Sequence, residues 1–182
     1  MPERGRPEQR DAFLRGAVSH VLAHGVSGLS LRPLAAALGT SDRMLLYYFG
    51  SREHLLKTVL DLVGEGLLAG LSDGVPPGRS EPQVLLRALW GISRDPAVEP
   101  VLRLYVEILG QAAAQVPPFP AAARRVADGW LDWVQGRLAV PAAQRPAAAA
   151  ALLATLDGLI VLRLAVGADI ADRAARRLLR DR

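Results

Sequence analysis

Apolar positions recur at three- and four-residue intervals through most of the chain, and Gly, Pro and Ser break the pattern into short amphipathic segments. From Gln9 to Leu22, the residues Phe13, Leu14, Ala17, Val18, Val21 and Leu22 keep helical spacing. His24 and Gly25 close this helix, glycine being suited to a left-handed C-terminal cap. Ser30 is placed to cap a second helix with an inward face of Leu31, Leu34, Ala35 and Leu38, ended by Gly39. Pro33 falls in its first turn, where a missing N–H has no intrahelical acceptor to lose. Thr40 or Ser41 opens a third short helix, DRMLLYYF, and Ser51 caps a fourth that runs to about Gly70.

The segment SDGVPPGRSEP, Ser72 to Pro82, holds three prolines and two glycines and predicts a break. Helical patterns resume at 83–93, 101–115, 121–139, 146–166 and 169–181. They are separated by Pro96, Pro100, Pro117–Pro120, Pro141, Pro146 and Gly167. No stretch reads as a strand of useful length. The expected fold is all-α, with about nine helices. An N-terminal three-helix domain with a helix-turn-helix, 8–56, precedes an antiparallel helical bundle, 57–182.

Composition agrees with that reading and removes alternatives. Apolar residues make up 51% of the 182 residues and aromatics 5%. The core must therefore come from Leu, Ala and Val, a mix that favours helices over sheets. The absence of cysteine excludes disulfide scaffolds, cysteine nucleophiles and thiolate metal sites. The charged start MPERGRPEQRD does not read as a secretion signal. The most apolar stretch, Ala147 to Leu162, is interrupted by Thr155 and Asp157 and ends at Arg163, so no membrane span is expected and the cytoplasm is the expected compartment. Net charge is +4, and before Leu60 eight basic residues face five acidic ones, so the excess sits mostly at the front.

Two short helices joined by a Gly-led turn have the outline of a helix-turn-helix, whose second helix enters the major groove. Leu34, Ala35 and Leu38 can pack against Leu45 and Phe49, which leaves Arg43, Met44, Tyr47 and Tyr48 on the other face, with Asp42 in the first turn. Arg43 can form a fork to guanine or phosphate, and Met44 can meet a thymine methyl. Packing of the two tyrosines into a three-helix core is the competing reading.

The stretch AFLRGAVSHVLAHGVSGLSLRPLAAALGTSDRMLLYYFGSREHLLKTVL, Ala12 to Leu60, resembles the TetR family of transcriptional regulators in register, from the HG ending of the first helix to YYF and SREHLL. The resemblance implies DNA-facing positions at Ser41, Asp42, Arg43, Met44, Tyr47 and Tyr48, and phosphate contacts at Ser30, Arg32 and Arg52. It departs from the family's usual pattern at Asp42, where Lys is common. It departs again at Leu46, where Tyr is frequent, and at Pro33, so the operator sequence does not carry over. Ser30 and Ser51 have capping as an equal alternative. His20 and His24 lie four apart without a third ligand, so no metal site is expected.

From Ala147 to Ala165 the chain is apolar around most of a helix, which demands burial on several sides. A second copy is the natural cover, with Leu152, Leu156, Leu159, Ile160 and Leu178 as candidate contacts and Ala150, Ala154 and Gly158 allowing close approach. The resemblance implies the same, since family members are all-helical homodimers paired through their final two helices. Arg173, Arg176, Arg177 and Arg180, interleaved with Asp169, Asp172 and Asp181, read as a solvated face. Trp90, Tyr105, Glu107, Trp130 and Trp133 are the candidate lining of an effector site, core filler being the bland reading for each.

The expected function is a ligand-responsive DNA-binding regulator. It would act as a repressor that binds a palindromic operator as a homodimer and is released by an apolar or aromatic small molecule, with no cofactor. A helical adaptor without an effector is the alternative. An enzyme fits poorly: there is one lysine, Lys57, and neither a Gly-rich phosphate loop nor an HExxH motif.

Overall fold

The computed structural model describes residues 5–26, 29–75 and 77–179; Pro76, Arg180 and Asp181 lie outside the described residues. Within them the chain is all-α, with α1 Gly5–His24, α2 Leu31–Ala37, α3 Asp42–Phe49, α4 Arg52–Gly74, α5 Pro82–Ser93, α6 Glu99–Ala113, α7 Phe119–Arg137, α8 Arg145–Val161 and α9 Ala168–Leu178. A 3-10 turn, Ala142–Gln144, precedes α8, and a π turn, Leu162–Val166, follows it.

Several boundaries shift from the sequence expectation. Helix α4 continues past Ser72 to Gly74, so the break begins later. Helices α6 and α7 start at Glu99 and Phe119, taking Pro100 and Pro120 into their first turns. Both shifts follow from one fact: a proline stops a helix in its interior but costs nothing where the N–H has no acceptor.

Two compact units emerge. The first comprises Met1–Gly66 and Arg103–Ala123, the second Leu67–Leu102 and Arg124–Arg182. The front helices are thus closed by most of α6 and the start of α7, a longer and discontinuous set of residues than 8–56. Phe13, Ala17 and Val21 line one face of α1 and join Leu34, Ala35, Leu45, Phe49 and Leu55 in the first unit's core, together with Leu104, Ile108 and Phe119. In the second unit, Ser80 forms an isolated bridge to Leu138. The Ser80 N–H donates to the Arg137 carbonyl at 2.8 Å, and the Ala139 N–H donates to the Ser80 carbonyl at 2.9 Å.

On α1, the rings of His20 and His24 stack with centroids 4.4 Å apart. Burial, and then the neighbouring His24, lower the pKa of His20 below its ordinary 6.5. Between the lowered folded value and 6.5 the unfolded chain holds the extra proton. The stability contributed by neutral His20 is therefore complete above 6.5 and is lost as pH falls through the folded value. Melting temperatures measured across about pH 5 to 7 should fall toward acid, and less steeply in His20→Gln.

Candidate nucleic-acid interface

The α2–α3 connection is a tight glycine-led turn. At the end of α2, the Thr40 N–H donates to the Ala35 carbonyl (2.9 Å) and the Gly39 N–H to the Ala36 carbonyl (3.2 Å), with Gly39 at φ +63. This double bond pattern requires a left-handed residue, the conformation glycine adopts without a Cβ penalty. It turns the chain so that Leu34 and Ala35 of α2 and Leu45 and Phe49 of α3 share one buried cluster.

The three serines divide by function. Ser41 Oγ accepts from the Met44 N–H (3.3 Å), and Ser51 Oγ accepts from the His54 N–H (3.1 Å), so each caps the helix that follows it. Ser30 occupies the cap position of α2 in extended geometry but makes no capping bond. The reason is local: three residues on, where a cap finds its N–H, stands Pro33, which has none. Ser30 is exposed, as is Arg32.

With Leu45 and Phe49 inward, the opposite face of α3 presents exposed Arg43, Met44 (38% exposed) and Tyr47 (56%). Asp42 is half-buried at the first turn. Tyr48 is different: it is half-buried, with its ring edge-on to Phe13 at 5.4 Å and to Tyr47 at 5.3 Å. Phe49 is covered on one side by the Arg10 guanidinium, 5.2 Å from the ring centre. Arg52 is exposed, and its Nε and one terminal nitrogen donate to the Leu29 carbonyl at 3.2 and 3.0 Å. That contact ties the start of α4 to the entry of α2 and leaves three of the five guanidinium donors for another acceptor.

One residue was missed from sequence. Leu46 is 39% exposed and sits three residues after Arg43, hence beside it on the helix surface. Its apolar character, read only as a departure from a common tyrosine, drew attention away from a position that helical spacing alone places on the outer face.

The candidate effector residues are divided between the two units. Tyr105 and Glu107 belong to the first unit, and Trp90, Trp130 and Trp133 to the second. Trp130 and Trp133 meet edge to face at 5.7 Å, and the Arg137 guanidinium lies 4.9 Å from the Trp133 ring centre. Glu107 holds the front unit together: its Oε2 accepts the Val26 N–H at 2.9 Å. Among the candidate dimer contacts, Leu152, Leu156, Leu159 and Ile160 are all 4% exposed or less, so the protomer itself consumes them; Leu178 is 46% exposed. The outward side of α8 instead carries the small residues Ala147, Ala151, Ala154 and Gly158, followed by Val161. Ala142–Val166 is long and apolar enough to cross a membrane by length and composition; its most apolar 18-residue window has a mean hydropathy of 2.0, and 28% of that window is buried in the protomer.

A glycine-led turn followed by a short helix with an exposed outer face has the geometry of a helix-turn-helix, the motif whose second helix enters the major groove of DNA. Residues 13–59 match the model of the bacterial regulatory proteins of the tetR family. The whole fold is similar to that of a transcriptional regulator from Rhodococcus sp. Rha1, with TM-score 0.72, 20% identity and 93% of each chain covered. A TetR transcriptional regulator from Chloroflexus aurantiacus J-10-FL gives a TM-score of 0.70 at 19% identity, with 97% of this chain and 94% of that one covered. The multidrug binding protein EbrR, complexed with proflavin, gives 0.67 at 25% identity over 93% of this chain and 98% of its own. None of the curated proteins matches.

Proposed function

We propose that this protein is a transcriptional regulator, a homodimeric repressor that reads a palindromic operator through α3 and leaves it when an apolar or aromatic small molecule binds. The observation that carries the reading is the outward face of α3, where Arg43, Met44, Leu46 and Tyr47 are exposed together on a helix anchored by two buried residues. Such a face offers a bidentate donor for guanine and apolar tips for thymine methyls, while Arg32 and the remaining donors of Arg52 serve phosphates. One short helix covers only a few base pairs, so two copies spanning half-sites about 34–36 Å apart supply the rest. The exposed small-residue side of α8 is the support for pairing.

Effector response rests on the tryptophans of the second unit and on the fold shared with EbrR, which was crystallised with proflavin. Release is then a shift between two forms that differ in their fit to successive major grooves, limited by the ligand's differential affinity for them.

Selection of bound sequences from random duplex DNA, followed by fluorescence anisotropy, tests the reading. A palindromic consensus is expected. Arg43→Ala should cost about 1–3 kcal/mol, roughly 5- to 150-fold, and relax preference at one base pair of each half-site. Arg32→Ala should weaken all sequences alike and lower the salt dependence. Tyr48→Phe should change little, because its ring is already engaged by Phe13. A selected pool without a consensus would remove the assignment.

A further inference from the structure

A cleft of about 370 Å3 lies in the second unit between α5 and α9. Arg87 and Trp90 of α5, and Arg94 just after it, form one wall; Asp172 and Arg176 of α9, with Leu179 just after it, form the other. Three guanidinium groups therefore face one carboxylate. Arg87 donates to the Leu179 carbonyl at 2.8 Å, which secures the end of α9. Arg94 Nε stands 3.7 Å from Asp172 Oδ1, an ion pair too long for a hydrogen bond. That oxygen is buried and accepts no hydrogen bond, the one such side-chain atom among the described residues. Arg176 is exposed and makes no hydrogen bond or ion pair among the described residues.

These features are complementary. Asp172 Oδ1 is closed to solvent and faces Arg94, so the cleft is left with an excess of positive charge. A guanidinium at the rim offers a planar fork suited to a carboxylate. Trp90 and Leu179 supply an apolar wall, and the volume falls within the range of small-molecule sites. We infer that the α5–α9 cleft binds a small aromatic carboxylate. The carboxylate lies against Arg176 and Arg94, and the ring packs beside Trp90 and Leu179.

Pairing through the opposite flank of α9 would leave the site open. Ile170, Ala174 and Leu178 are spaced by four along one flank of α9, whereas Asp172, Arg176 and Leu179 occupy the other flank. Each protomer therefore carries its own cleft, and occupancy is measured without DNA. Failure of this inference and failure of the DNA-reading proposal are separate results.

Isothermal titration of the full-length protein tests it with four probes: indole-3-acetate, 1-naphthaleneacetate (which lacks the N–H), indole (which lacks the carboxylate) and inorganic phosphate. Indole-3-acetate is expected to bind once per protomer. Naphthaleneacetate should bind comparably, and indole and phosphate at least about tenfold more weakly. Arg176→Gln, at an exposed position with no partner to lose among the described residues, should weaken indole-3-acetate about tenfold or more. Asp172→Ala, which releases Arg94, should strengthen carboxylate binding. Absence of binding, phosphate binding as tightly as indole-3-acetate, or unchanged binding in both variants would each overturn the inference.

Discussion

Replacing Ala154 by glutamate is expected to leave the protomer folded while splitting the dimer. Ala154 lies on the exposed side of α8 with Ala151 and Gly158, and a Cβ built on Gly158 meets nothing within its own chain. Small residues repeated at this spacing let two helices approach closely, and a charged side chain placed there has neither room nor water. In a two-fold interface the change is present on both copies, so the penalty is doubled. Light scattering after size exclusion should report half the mass. Affinity for the selected operator should fall at least about 100-fold, because each half-site must then be held by an independent monomer. An intact dimer in this variant would move the interface to another face.

The second large effect concerns Glu107. Val26 is 3% exposed, and its N–H has Glu107 Oε2 as acceptor at 2.9 Å. Glu107→Ala strands that donor and should cost the first unit about 1–3 kcal/mol. Glu107→Gln should restore most of the loss, since an amide oxygen still accepts. Gly25 provides a check from the other side: it stands at φ +76, and a Cβ there would lie 2.5 Å from the same carboxylate oxygen. Gly25→Ala is thus opposed by backbone strain and by collision. Combined with Glu107→Ala only the strain remains, so the two changes should destabilise less than additively. Hydrogen exchange of α1 and α2 amides reads this directly, faster exchange marking the weakened unit. The carboxylate that looked like a polar contact for an effector has a structural task in the front unit.

The two cases show where a linear reading succeeds and where it stops. The α1–α3 frame was legible because its signals are local. Spacing of four along α1, a glycine after α2, a serine before α3 and opposite faces on α3 all lie within a few residues of one another. Even the failed cap at Ser30 was in principle readable, since Pro33 stands at the one position where the capped N–H belongs. The roles of Tyr48 and Arg52 were not readable, because Phe13 and the Leu29 carbonyl reach them from distant parts of the chain.

Helix α8 shows the limit most clearly. Hydropathy marks it as needing cover on several sides but does not rank those sides, because leucine and alanine both count as apolar. Tertiary packing ranks them by volume: the bulky Leu152, Leu156 and Leu159 fill the protomer core, and the alanines face outward. The α5–α9 cleft has the same origin. Its arginines read as a solvated face when α9 is considered alone, and they become one wall of a site only when Trp90 and Arg94 stand opposite.

By itself, the sequence determined that the chain is helical, that its front carries a helix-turn-helix and which side of α3 faces out, since these depend on periodicity and on neighbours a few residues apart. Only the tertiary structure decided which apolar surface is consumed inside the protomer and what Glu107 holds. It alone also opened a charged cleft between two helices, because such outcomes depend on which distant segments meet and how their volumes and charges match.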